Sequence, residues 1–217
     1  ETGAVQVRVE AGHDWDALTG WSAEQGFAGI ECLSGIPGLA GAAPIQNIGA
    51  YGQSVADCLV TVEALDCATG EVRNWAAEEC GFGYRDSVFK RAAAGRFLVT
   101  AITLRLRTDG RPTLLYPELR NRLGVSERPN GGLPALPMVR DAVLELRRDK
   151  GMVVDAADPD SRSAGSFFLN PIVAQSAAAA VEERFGHTMR ADESMPGWRQ
   201  DPVDGIAMVK LSAAWLI

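Results

Sequence analysis

Three stretches of this sequence carry residues whose type and spacing could support chemistry. The first is Gly35-Ile36-Pro37-Gly38-Leu39-Ala40-Gly41-Ala42-Ala43-Pro44-Ile45-Gln46-Asn47-Ile48-Gly49-Ala50-Tyr51-Gly52. Its five glycines and two prolines forbid a stable helix interior. Backbone bare of Cβ atoms can approach a large flat ligand and offer it N–H and C=O groups. Taken alone, the run fits a tight buried turn equally well. Its G-x-x-G-x-x-G spacing is not the G-x-G-x-x-G of a dinucleotide fold, and the chain has no G-x-x-x-x-G-K-[ST] phosphate loop. The second stretch, Phe82-Gly83-Tyr84-Arg85-Asp86-Ser87-Val88-Phe89-Lys90, contains an arginine whose planar fork suits a carboxylate, with a surface ion pair as the plain alternative. The third, Ala164-Gly165-Ser166-Phe167-Phe168-Leu169-Asn170-Pro171, holds a serine that by itself signals no more than a turn.

Metal chemistry has little to build on. His13 and His187 lack partners at ligand spacing, and Cys32, Cys58, Cys67 and Cys80 form no C-x-x-C pair, so buried reduced thiols are expected and no metal site. A net charge of −7 disfavours nucleic acid as a general surface partner but leaves room for a local basic pocket. With 47% apolar and 23% charged residues over 217 positions, one large or two modest domains with real cores are expected. No apolar run approaches the ~20 residues of a membrane span, so a soluble, cytoplasmic protein without membrane insertion is the expectation. Both ends read as cut: Ala4 to Glu10 is a strand already in progress, and Leu211 to Ile217 is apolar without a stop signal.

The elements that must position these groups follow from periodicity. Asp14 is placed to cap a helix running to about Gln25, with Gly26 as its stop. Leu59 to Leu65 and Glu71 to Trp75 flank Ala68-Thr69-Gly70 as a hairpin, and Arg96 to Arg107 alternates as a further strand. A short helix is expected around Glu118 to Leu123, and Pro129-Asn130-Gly131-Gly132 marks a domain boundary. Beyond it an amphipathic helix spans about Leu136 to Lys150, with Val139, Val143, Leu144 and Leu146 on one face, and another spans about Ala174 to Phe185. Polar loops fill Gly151 to Ala164 and the stretch between Phe185 and Val203.

The glycine run, the Tyr84-Arg85-Asp86-Ser87-Val88-Phe89-Lys90 block and the Gly165-Ser166-Phe167-Phe168-Leu169-Asn170-Pro171 block together resemble the UDP-N-acetylenolpyruvoylglucosamine reductase family. The resemblance covers nearly all of this chain but only the middle of the family's enzyme. It implies an α+β fold: the later part of a PCMH-type FAD-binding domain over 1–128, then an α+β substrate-binding domain over 129–217 that is incomplete at its C-terminus. By that likeness Ile36, Gly38, Ile45, Gln46, Ile48, Gly49 and Ala50 bind the flavin, Arg85 and Ser166 are catalytic, and Ser166 is the proton donor. Tyr84, Arg85, Tyr116, Lys150 and Asn170 are expected to bind substrate, with Tyr116 closing over the nucleotide sugar and Lys150 meeting the diphosphate. An exposed loop tyrosine and a helix-end lysine are the plain alternatives for Tyr116 and Lys150.

The implied reaction reduces UDP-N-acetylglucosamine enolpyruvate to UDP-N-acetylmuramate with NADPH and FAD. It belongs to peptidoglycan precursor synthesis, and so to cell-wall biogenesis, cell shape and division. Hydride addition to the enolpyruvyl ether leaves negative charge beside the carboxylate. A fixed cation such as Arg85 stabilises that charge, and a positioned hydroxyl can protonate so basic a carbon. The likeness also implies a glycine-rich pyrophosphate loop before Glu1 and an acidic catalytic residue after Ile217. A non-catalytic flavin or nucleotide-sugar binding piece is the alternative reading, and a different FAD enzyme a third.

Overall fold

The structure is a computed structural model that describes residues 3–125, 132–162, 168–185 and 195–217. The chain packs as two compact units, 1–163 and 164–217.

In the first unit four antiparallel strands form a sheet in the order β1-β6-β4-β5, with β1 at Ala4–Glu10, β4 at Leu59–Asp66, β5 at Val72–Ala76 and β6 at Phe97–Arg107. A further pair, β2 (Gly49–Ala50) and β3 (Gln53–Ser54), makes a tight hairpin inside the glycine run. The alternation visible in the sequence becomes a buried face: Val9, Leu59, Val62, Ala64, Val99, Leu104 and Leu106 point into one core. Helix α1 (Trp15–Glu24) closes that core with Trp15 and Leu18, and the Trp15 indole donates to the Leu33 carbonyl at 3.2 Å. Asp14 caps α1 as expected, accepting from Ala17 N–H at 2.8 Å.

Helix α2 (Pro117–Arg122) is short and opens with proline at its first turn. Helix α3 (Leu136–Arg148) turns Val139, Ala142, Val143 and Leu146 onto Cys32, Leu114 and Leu119. Leu144, named above on that face, is only partly buried, because Ala142 and Leu136 occupy the stripe instead. Arg140 of α3 makes a two-pronged ion pair with Asp16 of α1, at 2.6 and 2.7 Å. The helix therefore packs within the first unit, and the expected boundary at 129 lies outside the described residues.

The second unit holds an antiparallel three-stranded sheet, β7-β9-β8, with β7 at Ile172–Ala174, β8 at Gly197–Val203 and β9 at Ile206–Leu211. Helix α4 (Gln175–Phe185) follows β7, and α5 (Ala213–Leu216) ends the chain. The polar loop expected up to Val203 is partly strand: β8 is exposed along nearly its whole length, so no apolar alternation marks it in the sequence.

Candidate functional site

A 3₁₀ turn at Glu31–Leu33 leads into the glycine run, which makes a second such turn at Ala40–Ala42 before reaching the β2–β3 hairpin. The turn of that hairpin is Tyr51-Gly52, with φ of 47° and 87°. Two consecutive positive φ values are the signature of a type I′ turn, which favours Asn-Gly. A tyrosine at its first corner is strained. Gly49 is required for space: a Cβ there would lie 2.9 Å from the Gln53 carbonyl.

Three side-chain bonds stitch the 83–87 block onto residues 45–49, the segment that leads into this hairpin. Asn47 Nδ2 donates to Gly83 O at 3.0 Å, Ser87 Oγ donates to Ile45 O, and Arg85 Nη2 donates to Gly49 O at 2.6 Å. Ser87 is fully buried, so its bond is shielded from water, while Arg85 sits at φ 55°, a left-handed conformation rare outside glycine. The two motifs, separated by more than thirty residues in the chain, thus form one structure, with Tyr84 exposed beside Arg85.

A second cluster joins the same hairpin at its turn. The Tyr51 ring meets the Tyr116 ring edge-on at 5.7 Å and 87°. Lys150 Nζ lies 5.9 Å from the centre of the Tyr51 ring and is ion-paired to Glu118 at 2.8 Å. Burial, and then the Glu118 charge, raise both tyrosine phenols above their ordinary range. Arg147 is half-buried nearby. Its Nη2 donates to the carbonyls of Gly35 and Met152, at 3.1 and 3.0 Å, and its buried Nε has no partner among the described residues. Burial lowers the affinity of its guanidinium for a proton, and the Arg85 charge adds to this.

The sequence-derived positions therefore fall into groups. Tyr84, Arg85, Tyr116 and Lys150 all border the Gly49–Ser54 hairpin or its tyrosine cluster. Among the flavin positions, Ile45 and Gln46 are exposed, Ile36 and Ala50 are half-buried, and Gly38 has open space where a side chain would be. Ile48 differs: its side chain is packed in the core, its N–H donates to Ala43 O and its carbonyl accepts from the Val55 N–H. Asn170 belongs to the second unit, where its Oδ1 accepts from Ala213 N–H at 2.9 Å. Ser166 lies outside the described residues. Cys32, Cys58 and Cys80 are buried free thiols, whereas Cys67, expected to be buried with them, is exposed on the β4–β5 turn.

Sequence reasoning passed over Tyr51, Glu118 and Arg147. Arg147 stands three residues before Lys150, and Tyr51 sits inside the glycine run, but the contacts of Arg147 with Gly35, of Tyr51 with Tyr116 and of Glu118 with Lys150 are products of folding. A cavity of about 770 Å³ opens next to this cluster, lined by Gly29, Gly52, Gln53, Thr61, Arg105 and Leu115 among others. Gln53 is buried, its Oε1 accepts from Cys32 N–H at 2.8 Å, and its Nε2 has no acceptor among the described residues. A space of this size, bordered by Gly29 and Gly52 and by polar and apolar side chains, is large enough for part of a cofactor, although the buried Gln53 Nε2 is turned away from solvent. None of the flavin positions named from sequence lines it.

The first unit is an antiparallel sheet carrying a glycine-rich segment, and the family described as "FAD binding domain" matches residues 1–75. Curated relatives narrow this class. The chain is 46% identical over 215 residues to UDP-N-acetylenolpyruvoylglucosamine reductase of Thermobifida fusca (strain YX), covering 98% of this chain and 58% of that protein. It is 48% identical over 219 residues to the protein of that name from Nocardia farcinica (strain IFM 10152), covering 100% and 54%. A crystal structure of UDP-N-acetylenolpyruvylglucosamine reductase (MurB) from Thermus caldophilus shares the fold, with a TM-score of 0.51 and 24% identity over 95% of this chain and 62% of that one. The chain belongs to the UDP-N-acetylenolpyruvoylglucosamine reductase family and spans little more than half the length of these curated relatives.

Proposed function

We propose that the protein carrying this chain is an FAD-dependent reductase that converts UDP-N-acetylglucosamine enolpyruvate to UDP-N-acetylmuramate with NADPH, in the supply of peptidoglycan precursors. The observation that carries the reading is the anchoring of Arg85 on the Gly49 carbonyl, beside a cluster that holds Tyr116 and Lys150. Residues 1–128 serve as the flavin-binding part and 129–217 as the substrate part, although α3 and Lys150, which follows it, pack in the first unit.

FAD, when bound, supplies hydride equivalents drawn from NADPH. The glycine run is the part of this chain suited to hold it. Arg85 spends one nitrogen on Gly49, which leaves other donors of its fork for the enolpyruvyl carboxylate. Its charge then stabilises the carbanion character that develops next to that carboxylate. Lys150 and Arg147 supply positive charge for a diphosphate, and Tyr116 an aromatic face for the sugar or base. Ser166 delivers the proton to the carbon, a role that rests on its place in the family motif, and Asn170 assists at the nucleotide sugar.

The test uses full-length protein. Yellow protein that turns over the enolpyruvyl nucleotide sugar with NADPH supports the assignment; a colourless protein that binds the nucleotide sugar without turnover overturns it. Within that frame Ser166→Ala is expected to stop product formation while NADPH still bleaches the flavin, and parental turnover by this variant removes the proton-donor role.

A further inference from the structure

The Tyr51 backbone conformation calls for a compensating contact. At φ 47° the residue occupies the first corner of a type I′ turn, where asparagine or glycine is favoured and a bulky side chain is strained. Strain of this kind persists only where surrounding contacts fix it. Here the ring is held by Tyr116, edge-on at 5.7 Å, and by the Lys150 ammonium at 5.9 Å from its centre. The next residue repeats the relation: Gly52, at φ 87°, is so close to Leu115 that a Cβ would lie 2.9 Å from the Leu115 Cβ. Both corners of one turn therefore press on the 115–116 segment, and Glu118 of the same segment binds Lys150 at 2.8 Å.

We infer that Tyr51 is a positioning residue: its ring fixes Tyr116 and Lys150 against the glycine run and thereby sets how tightly the site takes the nucleoside diphosphate end of its substrate. The inference rests on the substrate class proposed above. The turn is closed by the β2–β3 pairing and tied down further by the Arg85 bond to Gly49, so the ring serves as the platform against which the 115–118 segment is ordered. Tyr51 touches no reacting atom in this account; it acts through Tyr116 and Lys150.

Full-length Tyr51→Leu, Tyr51→Phe, Tyr116→Leu and the Tyr51→Leu/Tyr116→Leu double variant test this, with UDP as the calorimetric probe. Loss of an aromatic pair and of a cation–π contact predicts an approximately fivefold to tenfold weaker UDP Kd and a matching rise in substrate KM for Tyr51→Leu. The value of kcat should change by less than about threefold, as expected when binding is lost equally in ground and transition states. Tyr51→Phe keeps the ring and should restore the parental KM. The double variant should lose less UDP affinity than the two single losses added together, since part of the Tyr51 effect passes through Tyr116 and the rest through Lys150. Additive losses, or a parental Kd in Tyr51→Leu, overturn the inference.

A measurement on the unmodified protein covers the case in which Tyr51→Leu fails to fold. On addition of UDP, amide exchange in residues 49–54 and 114–118 should slow together; protection of one segment without the other overturns the coupling. A parent that binds UDP and obeys this cycle, but does not reduce the enolpyruvyl sugar, sinks only the assigned reaction. A parent that reduces it while Tyr51→Leu keeps the parental KM sinks only the Tyr51 role, and a parent that binds no UDP overturns both.

Discussion

Arg85 reaches the Gly49 carbonyl with one guanidinium nitrogen, at 2.6 Å, from a backbone position whose φ is 55°. The bond joins the two most informative motifs of the chain and orients a cation that sequence alone left as a choice between a site residue and a surface ion pair. Left-handed backbone at a non-glycine residue costs on the order of 1 kcal/mol, so the fold holds this arginine in place against a local preference.

Arg85→Lys should therefore lose more than a conservative exchange suggests. An ammonium cannot both hold Gly49 O and present a planar fork, so turnover of the full-length protein is expected to fall by about 10²–10³. Flavin reduction by NADPH, followed by stopped-flow absorbance, should change by less than about threefold.

Gly49→Ala places a methyl group 2.9 Å from the Gln53 carbonyl. The hairpin must open to admit it, which moves the acceptor of Arg85. Stability should drop by about 1–3 kcal/mol in denaturant melts, with loss of activity even in the fraction that remains folded.

Asp16 makes the glycine run sensitive to acid. Its carboxylate accepts from Gly35 N–H at 2.6 Å and pairs with Arg140, and these bonds, the Arg140 one foremost, hold its pKa below the usual carboxylate range. A pKa lowered on folding gives stability that is complete above the unfolded value of about 3.9 and fades as pH falls through the folded value. Asp16→Asn should cost about 1–3 kcal/mol near neutral pH, less than a fully buried pair because the carboxylate is partly exposed. The gap between parent and variant melting temperatures should narrow as pH falls below the unfolded carboxylate value of about 3.9.

Glu118 competes with any diphosphate for Lys150. Their ion pair is exposed on both sides, so it is worth about 0.2–1 kcal/mol and is weakened by salt. Glu118→Gln should tighten UDP binding by up to about fivefold at low ionic strength, and the gain should shrink at high salt. Calorimetry at two salt concentrations reads this directly.

Thiol labelling should separate the cysteines. Burial pushes the Cys58 and Cys80 thiols up to about 12 and raises Cys32 further, whereas Cys67 is exposed. Peptide mapping after brief treatment of native protein with a thiol-specific reagent should find the label on Cys67, with the other three modified only after unfolding.

Sequence by itself determined the elements whose signals are local. The Asp14 cap, the alternation of β1, β4 and β6, and the apolar stripe of α3 each follow from what a residue's near neighbours permit. The motif blocks also fixed the family, because their residue types stand in unbroken order along the chain. Exposed β8 escaped notice, since a strand that buries neither face leaves no period to read. Only the tertiary structure decided that Ile48 faces the core, that Arg85 is spent partly on Gly49, and that Tyr51, Glu118 and Arg147 stand with Tyr116 and Lys150. These relations join residues far apart in the chain. Whether a side chain meets solvent, core or another side chain depends on how remote segments pack, and no local pattern encodes that.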